Sequence, residues 1–230
     1  MASAATVLDG WAVNLDGLFV SFDNFSVATA ANIPNRDEQS TFDAGTIDVA
    51  GGLGQIGPGG TGLGTLGINV FGEGTHTVLV LLDLHIDTGD FSFFDEFAGT
   101  SGSVPTGLTW QIDDPYNSNI AANVAAGGTL PNINALPNPS GGDVSVALAY
   151  TFLVPHLQGG TRVNFNVSFT SGTPELNPST FYILQNSNEA PGTIAFSAGL
   201  EAIPEPSGWV LIVGGLGAIV ALRMRRGAAE

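Results

Sequence analysis

The sequence predicts a mainly β protein: an antiparallel β-sandwich, with a jelly-roll-like variant open, followed by one hydrophobic helix at the C-terminus. Apolar side chains recur at every second position in several segments, which gathers them on one face of a strand and would scatter them around a helix. Turn-forming residues are frequent, with 32 Gly and 13 Pro in 230 residues. Only the end of the chain carries a long uncharged stretch closed by an arginine cluster, from Trp209 to Arg226.

Taken in order, Trp11 to Leu15 and Leu18 to Phe22 flank Asp16-Gly17, a two-residue turn between alternating runs and therefore a β-hairpin. Short strands are expected at Thr46 to Val49 and Leu66 to Phe71. Thr77 to Ile86 is more continuously apolar, as suits a central strand covered on both faces. Leu108 to Ile112 follows as a strand, and Ile120 to Ala126 as a short helix inside the Asn117 to Gly142 loop. Val144, Val146, Leu148, Tyr150 and Phe152 alternate with small or polar residues, and Val163, Phe165, Val167 and Phe169 do the same after Gly159-Gly160. Their proximity predicts an antiparallel pair. Phe181 to Gln185 and Thr193 to Ala202 complete nine or ten expected strands.

Charge excludes one function class. The 21 acidic residues face five basic ones, all Arg, for a formal net charge of −16. Arg223, Arg225 and Arg226 lie in the tail, so Arg36 and Arg162 are the fixed positive charges of everything before Pro204. Such a body repels phosphate backbones, and nucleic acid is not an expected partner. Divalent cations and neutral or cationic polymers are electrostatically compatible. The absence of Cys rules out disulfides and thiolate chemistry.

Several short patterns invite a chemical reading. Gly62-Leu-Gly64-Thr-Leu-Gly67 spells a dinucleotide fingerprint, but it leads from a Gly/Pro loop into a strand, not from a strand into a helix. It reads as a loop. Asp87, Asp90, Asp95 and Glu96 form a candidate calcium loop, since hard cations take six to eight oxygens; the competing reading is a solvated acidic loop. His76, His85 and His156 have no metal-ligand spacing, and no nucleophile elbow is present. Trp11, Trp110, Tyr116 and the aromatics from Phe91 to Phe97 are either a sugar-stacking platform or core.

The end of the chain divides it into a body, residues 1–203, and a tail, residues 204–230. Pro204-Glu205-Pro206 precedes Trp209 to Leu222, an apolar stretch of 14 residues spanning about 21 Å as a helix, against a hydrocarbon core of roughly 30 Å. Trp209 suits one interface, and Arg223, Arg225 and Arg226 the cytoplasmic one. This tripeptide, short transmembrane helix and Arg cluster resemble the PEP-CTERM sorting signal of exopolysaccharide-producing Gram-negative bacteria. The resemblance implies a chain held in the inner membrane, cleaved near the tripeptide by an exosortase-type membrane peptidase, and passed to the cell surface or outside. Val80 to Asp87, Phe94 to Phe97, Trp110 to Pro115 and Asp143 to Leu148 look like a layout recurring in exported proteins with that tail, which implies a β-rich secreted body and transfers no catalytic residue.

The expected function is a non-enzymatic cell-surface or extracellular-matrix protein associated with exopolysaccharide or biofilm matrix. The alternative is a secreted carbohydrate-active enzyme or carbohydrate-binding module on the same sandwich. An enzyme needs a concave site with two carboxylates, whereas a matrix protein needs none.

Overall fold

The computed structural model describes residues 5–23, 41–43, 62–87, 95–138, 141–156 and 159–204. In chain order its elements are β1 (Ala5–Leu15), β2 (Leu18–Asp23), β3 (Thr41–Asp43), β4 (Gly64–Val70), β5 (Gly74–Asp87), β6 (Glu96–Ser101), β7 (Leu108–Asp113), α1 (Ile120–Ala126), β8 (Ile133–Asn134), β9 (Ser145–Val154), β10 (Gly160–Thr170), β11 (Tyr182–Ser187) and β12 (Thr193–Ile203). The strands form two six-stranded sheets. Sheet A runs β2-β1-β5-β9-β7-β8 and sheet B runs β3-β4-β10-β12-β11-β6. Every named pair is antiparallel except β7 with β8.

Period-two patterning places one face of each sheet in a shared core. Val78, Val80, Leu82 and Leu84 of β5 and Val146, Leu148 and Tyr150 of β9 meet Val163 and Phe165 of β10 and Ile194 and Phe196 of β12. Phe165, Phe181 and Phe196 are fully buried, each adding roughly 1.5–3 kcal/mol of hydrophobic stabilisation relative to exposure. The predicted pairing of the segments now seen as β9 and β10 is overturned, because they belong to opposite sheets. Each has a better partner on both sides: β9 lies between β5 and β7, β10 between β4 and β12. The connection between them crosses from one layer to the other.

The β1–β2 hairpin turns at Asp16-Gly17 as expected, with both residues at positive φ, the condition for a tight turn between twisted strands. Asp16 Oδ1 also accepts Thr77 N at 2.8 Å, and Oδ2 lies 2.7 Å from His76 Nδ1, so the turn is fastened to β5. The helix falls where expected. It covers the second face of β5, where Ile120, Val124 and Leu130 pack on Ala12, Leu79, Leu81, Ala147 and Ala149. Small side chains at the outward positions of β9 leave room for it. Buried Asn14 holds its end, donating to the carbonyls of Val124 and Ala125 at 2.9 and 3.0 Å while its Oδ1 accepts Gly17 N at 2.8 Å.

The structure names twelve strands among the described residues, more than expected, because β3, β6 and β8 lack a run of alternating apolar residues. The expected strand at Thr46 to Val49 lies outside the described residues, as does the tail from Glu205 onward, including the expected C-terminal helix. Among the described residues no helix is long and apolar enough to cross a membrane. Since β12 ends at Ile203, the chain truncated after that residue should show a β-type far-UV circular dichroism spectrum and one cooperative melt; a disordered spectrum would show that the tail takes part in the fold.

Candidate functional site

Two regions carry unusual chemistry, on opposite outer faces. The first is at one end of sheet A. Strand register sets Gly10 of β1, Asp83 of β5, Ser145 of β9 and Asp113 of β7 side by side in one lateral row. Asp83 and Ser145 occupy the face that points away from the shared core, since their neighbours Leu82, Leu84, Val144 and Val146 point into it. A register shift between Leu8 and Gly10 of β1 accommodates Asp9, which pairs with His85 of β5. Asp143 lies two residues before the start of β9, and Asp114 directly follows β7.

These carboxylates are short of partners. Asp83 is 7% exposed and accepts one hydrogen bond, from Ser145 Oγ at 2.9 Å. Burial, reinforced by the charge of Asp143, pushes its pKa up to about 8. Asp143 is also 7% exposed, and among the described residues no donor reaches its carboxylate. Burial, with the charges of Asp114 and Asp9, raises it to about 6, against the opposing pull of His85. Asp114 goes the other way: burial works against its charged form, but hydrogen bonds from the Asn117 side chain and from the backbone of Asn117 and Tyr116 outweigh it and lower the pKa. Among the described residues no three His, Asp or Glu side chains converge as a ready metal-ligand set.

Glu96 lies at the same end, on the inner side. It is 1% exposed and spans the layers: Oε1 accepts Ile86 N of sheet A at 2.8 Å, and Oε2 accepts Gln185 Nε2 of sheet B at 2.7 Å. A longer contact of 3.4 Å reaches Oε2 from Val144 N. Burial raises the Glu96 pKa to about 8 in spite of these donors. The four expected calcium ligands are therefore not gathered by what the structure describes. Asp87 closes β5, Asp90 lies outside the described residues, and Asp95 accepts Ser187 Oγ and Glu189 N at the β11–β12 connection. Glu96 faces the core instead of a loop.

The second region is a cleft of about 490 Å³ on the outer face of sheet B. Ser168 and Thr170 of β10, Thr193 of β12, Tyr182 of β11 and the Thr173–Leu176 segment line it, and Glu175 is the one carboxylate among those lining residues. The face continues along β10 with Asn166, Asn164 and Arg162, the outward alternates of Val167, Phe165 and Val163. Arg162 is laid flat there, donating to Asn164 Oδ1 at 2.9 Å and Asn69 Oδ1 at 3.1 Å. A side chain at Gly67 would collide with its guanidinium, so the third glycine of the fingerprint-like motif serves packing, and that motif runs into β4 as expected. Sequence reasoning missed this face because its Ser, Thr and Asn residues are ordinary outward alternates.

Among the described residues the expected aromatics do not gather into one platform. Trp11 is core, Trp110 tilts against Phe181 at a centroid distance of 6.1 Å, and Tyr116 stands exposed. Phe91, Phe93 and Phe94 lie outside the described residues. Each His is instead paired with an acid: His76 with Asp16, His85 with Asp9 and His156 with Glu73. Of the residues expected to carry sorting, Glu205 and Pro206, with Trp209, Arg223, Arg225 and Arg226, also lie outside the described residues, while Pro204 directly follows β12. Comparison of the chain with protein-family models, curated proteins and solved structures finds no match.

The raised acids set a direction for stability. Unfolded carboxyls titrate near pH 4, so between pH ~4 and ~8 the folded state binds more protons than the unfolded state. Their contribution is therefore full below pH 4 and is lost as the pH rises through 6 and then 8. The melting temperature should fall between pH 5 and 8.5 in a calcium-free buffer of fixed ionic strength, and Asp83→Asn should flatten the upper part of that fall. A profile that rises over this range would mean that the three acids are ionised and compensated.

Proposed function

We propose that the chain is an exported, non-enzymatic protein of the cell surface or extracellular matrix, whose β-sandwich body binds a neutral extracellular polysaccharide on the outer face of sheet B. The cleft carries the reading. Its hydroxyls offer both donors and acceptors, Tyr182 offers a flat apolar surface with a polar tip, and the face continuing from it along β10 is uncharged up to Arg162. A glycan is the ligand class that combines many hydroxyls with apolar ring faces. Anionic polymers are disfavoured by Glu175 and by the net charge of −16.

Delivery rests on the tail. Its likeness to a PEP-CTERM signal supports transient residence in the inner membrane, an exosortase-type peptidase as processing partner, and release near Pro204-Glu205-Pro206. The end of β12 at Ile203 supports that reading, because cleavage beyond it removes no described strand.

An enzymatic reading has one observation in its favour: Asp83 and Asp143 interact and have proton affinities set apart, as an acid–base pair requires. Both are nearly fully buried and sit on the sheet opposite the cleft, so a sugar in the cleft would not meet them.

The full-length protein in mild detergent should co-sediment with an insoluble neutral glucan and not with alginate, releasing no reducing sugar. Tyr182→Ala with Thr170→Val should weaken binding about tenfold, equivalent to about 1.4 kcal/mol. Turnover of the glucan would reverse the order of the two readings. For the tail, replacing Pro204-Glu205-Pro206 with three Ala in a host that carries an exosortase-type peptidase should leave the protein membrane-held and uncleaved; release at the unchanged rate would sink the sorting assignment.

A further inference from the structure

We propose that the outer face of sheet A binds one divalent cation, calcium by its chemistry, between Asp83 and Asp143. The argument begins with geometry. Asp83 sits in the lateral row with Ser145, and Asp143 lies two residues before Ser145 on the same outward alternation, so the two carboxylates approach from neighbouring strands. Their interaction is the largest charge effect on Asp83. Both residues are buried beyond nine-tenths, yet Asp83 has one hydrogen-bond donor and Asp143 none among the described residues. A buried carboxylate with no donor is among the most costly polar groups in a protein, and a carboxylate beside it makes the cost greater.

The one opposing charge described around the pair is His85, and its pull is weaker than the repulsion from the neighbouring acids. Around the pair, β1 contributes Asp9, β5 His85, β7 and its following turn Asp113 and Asp114, and the inner side Glu96. His85 is engaged by Asp9, Arg162 lies on sheet B, and Arg36 is outside the described residues. Protons, water or a metal ion must then satisfy the pair. The donors are hard oxygens from two carboxylates and the Ser145 hydroxyl, which matches calcium, an ion of six to eight oxygen ligands and forgiving geometry, better than zinc. Since only two acids converge, water completes the shell. That places the affinity at the weak end of calcium modules, on the order of 10⁻⁴–10⁻³ M, a range found in extracellular proteins.

Calcium and protons compete for the same oxygens, which separates this site from general screening. The test is a thermal melt of the full-length protein at pH 5.5 and pH 8, in 10 mM CaCl₂ and in NaCl of equal ionic strength, with stoichiometry from a calcium-selective electrode. At pH 8 calcium should raise the melting temperature by several degrees more than NaCl, with one ion bound per chain, and at pH 5.5 the difference should shrink. Asp83→Asn with Asp143→Asn removes repulsion, so the variant should melt higher than the parent without calcium and show no calcium-specific shift. Asp143→Asn alone gives the same reading if the double variant folds poorly, and Asp87→Asn should retain the shift. Equal shifts in the two salts, a calcium shift that survives Asp143→Asn, or one that Asp87→Asn abolishes would overturn the proposal. The glucan experiment reports on the opposite face, so either result stands without the other.

Discussion

Glu96 is the constraint around which the two layers are arranged. A sheet pair held by apolar contact alone can slide, because hydrophobic burial has no direction. A buried carboxylate that accepts Ile86 N from one sheet and Gln185 Nε2 from the other can be satisfied in one relative placement. The backbone repeats the link: Glu96 exchanges two hydrogen bonds with Gly142, and Ala98 N donates to Leu136 O. Asn134, Leu136 and Gly142, at and after the end of β8 of sheet A, thereby pair with the outer edge of β6 in sheet B. An edge that would otherwise template pairing with another chain is closed by the protein's own loop. Losing Glu96 would leave Ile86 N without an acceptor and strip the Gln185 amide of one of its two, the other being Leu84 O, a heavier penalty than the loss of one packed side chain.

That placement also concentrates charge. Bringing β6 against the ends of β5 and β9 puts Glu96 within electrostatic reach of Asp143, which in turn feels Asp9 and Asp114. In a chain without lysine, acids have few ways of being compensated. All three histidines are spent on carboxylates, yet Asp83 and Asp143 remain without a basic partner. The outer face of sheet B shows the contrary solution, since its amides and hydroxyls bond one another, as Thr65 does with Asn166 and Thr193 with Asn186. Acidity is thus concentrated at one end of sheet A, while the outer face of sheet B is mostly amides and hydroxyls, with Glu175, Glu201 and Arg162 among them.

How much of this was legible follows from which forces act locally. The Asp16-Gly17 hairpin, the helix at Ile120–Ala126 and the strands β4, β5, β7, β9, β10, β11 and β12 were readable, because turn chemistry and alternation act over a few residues. Strand partners were not. Val144 to Phe152 and Val163 to Phe169 alternate alike, and nothing in alternation says whether two such strands share a sheet or face each other across a core. The acid cluster was illegible for the same reason: Asp9, Asp83 and Asp143 are brought together by register between strands distant in sequence. Glu96 misled because it adjoins Asp95 in an acidic stretch, whereas its position in β6 turns it toward the core. Even the outward Ala147 and Ala149 carried a signal, since strand positions meant for water are seldom filled with alanine, and α1 covers them.

On the proposed function, the two faces bear differently on an exported body. Under that proposal, a sheet face of amides and hydroxyls would hold a long polymer through many weak, repeated contacts, each worth little and together strong. The acidic end behaves differently. Burial holds Asp83 and Asp143 above the ordinary carboxylate range, so a change of pH across that range alters the stability of the fold. Since Asp143 stands between the outer acids and the inner Glu96, a change at the surface is felt electrostatically at the contact that registers the two sheets. For the exported body proposed above, the composition of the medium would therefore act on the acidic end of sheet A more than on the face proposed for the polymer.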